Sequence, residues 1–114
     1  MDEITIDVAK DFTRYPGGRY RAKGDWTGEE FRDDRLLPAL ESGAHITVNM
    51  NNLFTILPSF LDEAFGNIVE KIGLEEFQRR ITIILTDDPD SSAELADIYS
   101  KRNRAYLKQK RIGK

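Results

Sequence analysis

The sequence predicts an α/β fold, a mixed sheet of about four strands with helices packed on it. Three observations carry this. EITIDVA (3–9) and AHITVNM (44–50) alternate apolar and polar residues with the two-residue period of a half-buried strand. ITIILT (81–86) is nearly all β-branched or aliphatic, as in a strand buried on both faces. Apolar residues at helical spacing fill the stretches between and after them, and strands alternating with helices pack as helices on a sheet.

In chain order, Ile4, Ile6 and Val8 form the apolar side of the first strand. YPGGRY (15–20) then predicts a type II turn, with Pro16 presetting φ and Gly17 accepting positive φ. Residues 18–26 follow as a short returning strand or a loop. Thr27-Gly28-Glu29-Glu30 is a capping box opening a helix over about 28–41, and Pro38 predicts a kink or break inside it. Ser42-Gly43 ends that helix. After the second strand, FTIL (54–57) is short and apolar. A helix from 59 or 60 to about 72 carries Leu61, Ala64, Phe65, Ile68 and Ile72 as one apolar stripe. Ser59 is its expected cap, accepting from the Asp62 N–H. Gly73 ends it, LEEFQRR (74–80) makes a short helix, and a last helix runs from 91 to about 111, capped by Ser91 or Ser92.

The 114 residues read as one domain, 1–114, long enough to bury a core without metal or disulfide. There is no cysteine, hence no disulfide framework, thiolate site or cysteine nucleophile. No apolar run approaches the ~20 residues of a membrane span, and the acidic, alternating start is unlike a signal peptide, so a cytoplasmic chain is expected. The net charge of −3 is unevenly spread. Residues 101–114 hold seven basic residues and no acid, leaving ten basic and twenty acidic residues in the first 100. An acidic body thus carries a basic end, either a solvated helix terminus or a contact for an acidic surface.

Catalytic chemistry finds little support. His45 is the single histidine, starts a strand and is read as structural. Asp87-Asp88 with Asp90 lacks the glycine and closing glutamate of a calcium loop. Pro16-Gly17-Gly18-Arg19 is not a phosphate-binding P-loop. Glu29, Glu30, Asp33 and Asp34 are read as solvated helix charges. No metal and no cofactor is expected. Arg14, Arg19 and Arg21, close together around the turn, form a candidate anion site. Lys101, Arg102, Arg104 and Lys108, interleaved with tyrosine, form a candidate nucleic-acid contact.

PGGRYRAKGDWTGEEFRDDRLLPAL (16–40) and LPSFLDEAFGNIV (57–69) together resemble the bacterial STAS-like domain family. That family is related to sulfate transporter and anti-sigma factor antagonist domains. GGRY, TGEEFR and SFLDEAFG carry the resemblance, which spans roughly residues 3–86. It implies a small α/β fold with a mixed sheet, and a non-enzymatic regulatory module. Antagonists bind a histidine-kinase-like ATPase of the GHKL type, which phosphorylates a serine at a helix start and so breaks the complex. STAS-like members often lie beside or fused to such ATPases. The antagonists' Asp-Ser-Ser-Gly-Leu falls on Leu57-Pro58-Ser59-Phe60-Leu61, so only the second serine is kept, and the acceptor position holds Pro58. The resemblance thus marks Asn52, Phe54, Pro58, Ser59 and Asp62 as a partner surface, with Ser59 a candidate phosphorylation site. Apolar residues at 53–57 left exposed would also suit a homodimer. The alternative reading is a nucleic-acid- or anion-binding adaptor using the basic C-terminal helix.

Overall fold

Among the described residues the sheet has three strands, all parallel, in the order β1 (Glu3–Asp7), β2 (His45–Asn49), β3 (Ile81–Ile84). The computed structural model describes residues 2–112, so Lys114 of the basic end lies outside the described residues. The mixed sheet of about four strands is therefore corrected. β1 and β2 are each followed by a helical return to the same end of the sheet, which makes all three strands parallel. Neither extra candidate pairs as a strand. Residues 18–26 form a loop with a 3₁₀ turn at Arg21–Lys23. Residues 54–57 are irregular, and the Phe54 N–H bonds to the Arg14 carbonyl in another loop (2.7 Å).

One sheet face carries Ile4, Ile6, Ile46, Val48, Ile81 and Ile83, packed in or against the core. The other is polar, with Thr5, Thr47 and Thr82 in one row. His45 lies on that face between Glu3 Oε1 (Nδ1, 3.3 Å) and Thr82 Oγ1 (Nε2, 3.0 Å). β3 is not buried on both faces. It ends the strand order, helices cover one face only, and Thr82 and Ile84 are exposed.

A single turn, α1 (Val8–Asp11), follows β1 and is capped by Asp7. Helix α2 spans 28–41 and α3 spans 58–72. Helix α4 is Leu74–Arg80, and α5 is Pro89–Ile112, 24 residues long. Thr27 caps α2 as expected, its Oγ1 accepting the Glu30 N–H at 3.1 Å. Pro38 does not break α2. A widened turn at Arg32–Leu36, closed by the Leu37 N–H on the Arg32 carbonyl, precedes it, and the helix runs on. Helix α3 has a matching widened turn, Asp62–Gly66.

Phe31, Phe60, Phe65, Phe77, Leu36 and Leu61 are fully buried, and each such side chain contributes about 1.5–3 kcal/mol. Phe12, Phe31 and Phe60 pack together, Phe12 edge-on to Phe31 and the other pairs tilted, with centroids 5.2 to 6.5 Å apart. Helices α2 and α3 approach closely at Gly28, where a Cβ would meet the Phe60 carbonyl at 2.6 Å. Among the described residues, no helix is long and apolar enough to cross a membrane.

Candidate functional site

The parallel order places the loops 8–27, 50–57 and 85–88 together at the carboxyl ends of the strands, where open α/β sheets bind their ligands. These loops are cross-braced. Asn51 Oδ1 accepts the Thr86 N–H (2.9 Å) and the Asp87 N–H (3.3 Å), and its Nδ2 donates to Thr86 Oγ1 (2.9 Å). The Asn52 N–H donates to Asp87 Oδ2 (2.8 Å), and Asn52 holds φ at +68°, a left-handed conformation that asparagine tolerates. The Phe54–Arg14 bond then ties the 50–57 loop to the first loop.

The expected type II turn at 15–18 is corrected, because Gly17 is not at positive φ. Its N–H donates to the Trp26 carbonyl (2.8 Å), and a Cβ on Gly17 would collide with the Asp25 carbonyl. Close approach of the two arms of the loop, rather than backbone handedness, is what requires glycine there.

On this braced edge Phe54 is 78% exposed and Tyr15 63%, their rings 5.3 Å apart. Leu57 is also exposed. Ser59 is not the cap of α3. The helix starts one residue earlier, with Leu57 at the cap position and Pro58 in the first turn. Proline suits that turn, having no N–H to leave unpaired and φ already near −65°. The Phe60 and Leu61 N–H groups return to the Leu57 carbonyl. Ser59 is half-buried, its Oγ 3.8 Å from where a Gly18 Cβ would lie.

One turn into α3 lies a charge network. Asp62 accepts two bonds from Arg102 of α5 (Nε 2.8 Å, Nη2 2.7 Å) and one from Arg19 (2.7 Å). Arg102 also donates to Glu70 (2.8 Å). Glu63, only 5% exposed, accepts from Arg32 (2.5 Å), Asn67 (2.6 Å) and Arg19 (3.3 Å). The Arg102 and Arg19 guanidiniums hold the Asp62 carboxyl below the usual carboxylate range. The same bonds push Arg19 and Arg102 up. A cleft of about 380 Å³ borders the network, but Arg32, Asn67, Glu70 and Gln109 in its wall already bond within the chain.

The expected site residues therefore separate. Asn52, Phe54 and Pro58 are exposed at the loop edge, whereas Asp62 is held by two arginines. The arginine trio does not converge on a common point. Arg19 meets Asp62 and Glu63, Arg21 meets Asp34 (2.7 Å), and Arg14 is exposed. In the basic end, Lys101, Arg104 and Lys108 are exposed, but Arg102 is engaged with Asp62 and Glu70. Of the acidic loop, Asp87 takes the Asn52 N–H and Asp88 caps α5 through the Ser91 N–H (3.1 Å) and Oγ (2.8 Å). Ser91 is therefore the bonded partner of the cap, not the cap. Sequence reasoning missed Glu63, Arg32 and Tyr15. Glu63 carried no local signal, because Arg19 and Arg32 lie 44 and 31 residues away in the chain.

The architecture is that of a small α/β domain whose strand-end loops form a fixed, partly aromatic edge. The model of the family described as STAS-like domain of unknown function (DUF4325) matches residues 27–91, more than half the chain, and the protein belongs to that family. No curated protein and no solved structure matches it.

Proposed function

We propose that this STAS-like domain is a non-enzymatic regulatory module that binds a protein partner, a histidine-kinase-like ATPase of the GHKL type, through the loop edge around Phe54. The observation that carries this is the placement of Phe54. It is the most exposed large apolar side chain of those described, yet its backbone is fixed to the first loop and its neighbours Asn51 and Asn52 to the third. An exposed aromatic on a rigid base loses little entropy on docking, as anchor residues of interfaces do. The carboxylates and arginines beneath it mostly neutralise one another, which suits a scaffold better than an acid–base site.

A phosphate on Ser59 would act on the same edge. A Cβ on Gly18 would lie 3.8 Å from the Ser59 Oγ, so a phosphoryl group there would crowd the segment around Gly18. The test is photo-crosslinking in the native host with a benzophenone amino acid at position 54. An ATPase of this class in the crosslinked product supports the proposal; no product at 54, with crosslinks at exposed control positions only, refutes it.

A second reading has its own observation. Lys101, Arg104, Lys108, Lys110 and Arg111 are all exposed along α5. That array suits a polyanion, and salt-dependent retention of single-stranded DNA, lost on deleting residues 103–114, would establish it.

A further inference from the structure

The edge that carries Phe54 also carries two cations with no carboxylate of their own. Of the five basic side chains in residues 8–27, Arg19 and Arg21 are ion-paired inside the chain. Lys10, Arg14 and Lys23 form no ion pair among the described residues, and of these Lys10 and Arg14 lie beside Asn52. Both are exposed, and with Asp7, Ala9 and Asn52 they line a depression of about 310 Å³. That depression adjoins the aromatic pair directly. Arg14 precedes Tyr15, its carbonyl holds the Phe54 N–H, and Asn52 lies two residues before Phe54.

Charge at this edge runs against the rest of the body. The first 100 residues hold twenty acids and ten bases, whereas in residues 8–27, with Arg19 and Arg21 paired to carboxylates elsewhere in the chain, Lys10, Arg14 and Lys23 stand against Asp11 and Asp25. Unpaired cations beside exposed aromatics on an acidic body fit a partner segment of negative charge, steered to the edge and then anchored by apolar contact. The platform is already set, because Asn51, Asn52 and Phe54 are each bonded to a neighbouring loop. Two free cations beside Asp7 are too few to hold a nucleic-acid backbone against an acidic body, but they match two or three carboxylates of a peptide.

We propose that Lys10, Arg14, Tyr15 and Phe54 form a docking ledge for an acidic segment of the protein partner, with carboxylates on Lys10 and Arg14 and an apolar side chain on the aromatic pair. This rests on the reading of the Phe54 edge as the partner surface and adds the chemistry of what docks there.

The test uses the full chain, ¹⁵N-labelled, titrated with a synthetic glutamate-rich peptide carrying a central leucine and phenylalanine. The same peptide with lysine for glutamate is the control. Amide shifts are expected at 10–15 and 52–54 with the acidic peptide alone. Lys10→Glu and Arg14→Glu should each weaken it about tenfold, Phe54→Ala should remove it, and none should alter the melting temperature, since all three side chains are exposed. Equal binding of the lysine peptide, no shifts at the ledge, or shifts confined to 101–111 would overturn the inference. Equal shifts at the ledge with a single-stranded DNA oligonucleotide would also overturn it, in favour of a nucleic acid. If the position-54 crosslink to a partner survives in the Lys10→Glu/Arg14→Glu variant, the partner surface stands and the acidic segment falls. If no partner crosslinks at 54, the underlying reading falls instead.

Discussion

Arg102 grips Asp62 with two hydrogen bonds, 2.8 and 2.7 Å, across 40 residues of chain. This pair fastens the last helix to the first half of α3, directly below the surface loops. Gly66 makes room for it, since a Cβ there would meet Asp62 Oδ1 at 2.6 Å and Arg102 Cγ at 3.1 Å.

A double-mutant cycle measures that fastening. Arg102→Ala and Asp62→Ala, singly and together, should show a favourable coupling of about 2 kcal/mol in chemical denaturation, above an exposed pair and below a fully buried one. Additive single effects would mean that the bridge contributes nothing.

The same pair sets a pH dependence. Arg102 and Arg19 lower the folded-state pKa of Asp62, so the unfolded chain takes up that proton first. The bridge's stability is therefore complete above the ordinary carboxylate pKa of about 4 and is lost as pH falls through the lower folded-state value. The stability gap between the native chain and Asp62→Asn should be widest near neutrality and shrink below about pH 4. A gap that grows on acidification would contradict the assignment.

Glu63 makes a sharper case because it is buried. Glu63→Ala takes the buried carboxylate from Arg32, Arg19 and Asn67, while Arg32 keeps Asp33 (3.0 Å) and the backbone carbonyl of position 63, and should cost about 1–3 kcal/mol. Replacing both Glu63 and Arg32 by leucine should recover much of that loss. No recovery in the double variant would show that the cost lies in packing rather than in the stranded charge.

Two helix starts give opposite expectations for similar substitutions. Thr27→Ala removes an observed cap and should cost about 1 kcal/mol or more, whereas Ser59→Ala removes none and should stay within about 0.5 kcal/mol. Thermal melts of the two variants side by side check this.

These two starts also show what was legible in the sequence. The Thr27 cap could be read because a cap is a local event, settled within four residues. The same reading failed at Ser59, where Pro58 took the first turn and moved the helix start back by one. The three strands and the alternation with helices were legible from periodicity, because burial of one face imposes it. Strand number and direction were not, since they depend on which segments pair, and 54–57 bonds to a loop instead. In the candidate site, Asn52, Phe54 and Pro58 are exposed at the strand ends. The destinations of Asp62, Arg19 and Arg102 were hidden, because ion partners 40 and more residues apart leave no local pattern.

Helix packing supplies another check. Gly28→Ala would press a methyl against the Phe60 carbonyl, a backbone atom that cannot swing aside. A cost of about 1–3 kcal/mol is expected, and with it a looser α2–α3 contact. A neutral result would mean that the α2–α3 contact has room for a methyl group.

The central claim is that the Phe54 edge binds a protein. The most direct measurement is titration calorimetry of the full chain, native and Phe54→Ala, against the ATPase captured by the position-54 crosslink. The account predicts saturable binding by the native chain, and at least a tenfold weaker affinity for Phe54→Ala with an unchanged melting temperature. Equal affinity of the two chains would contradict it.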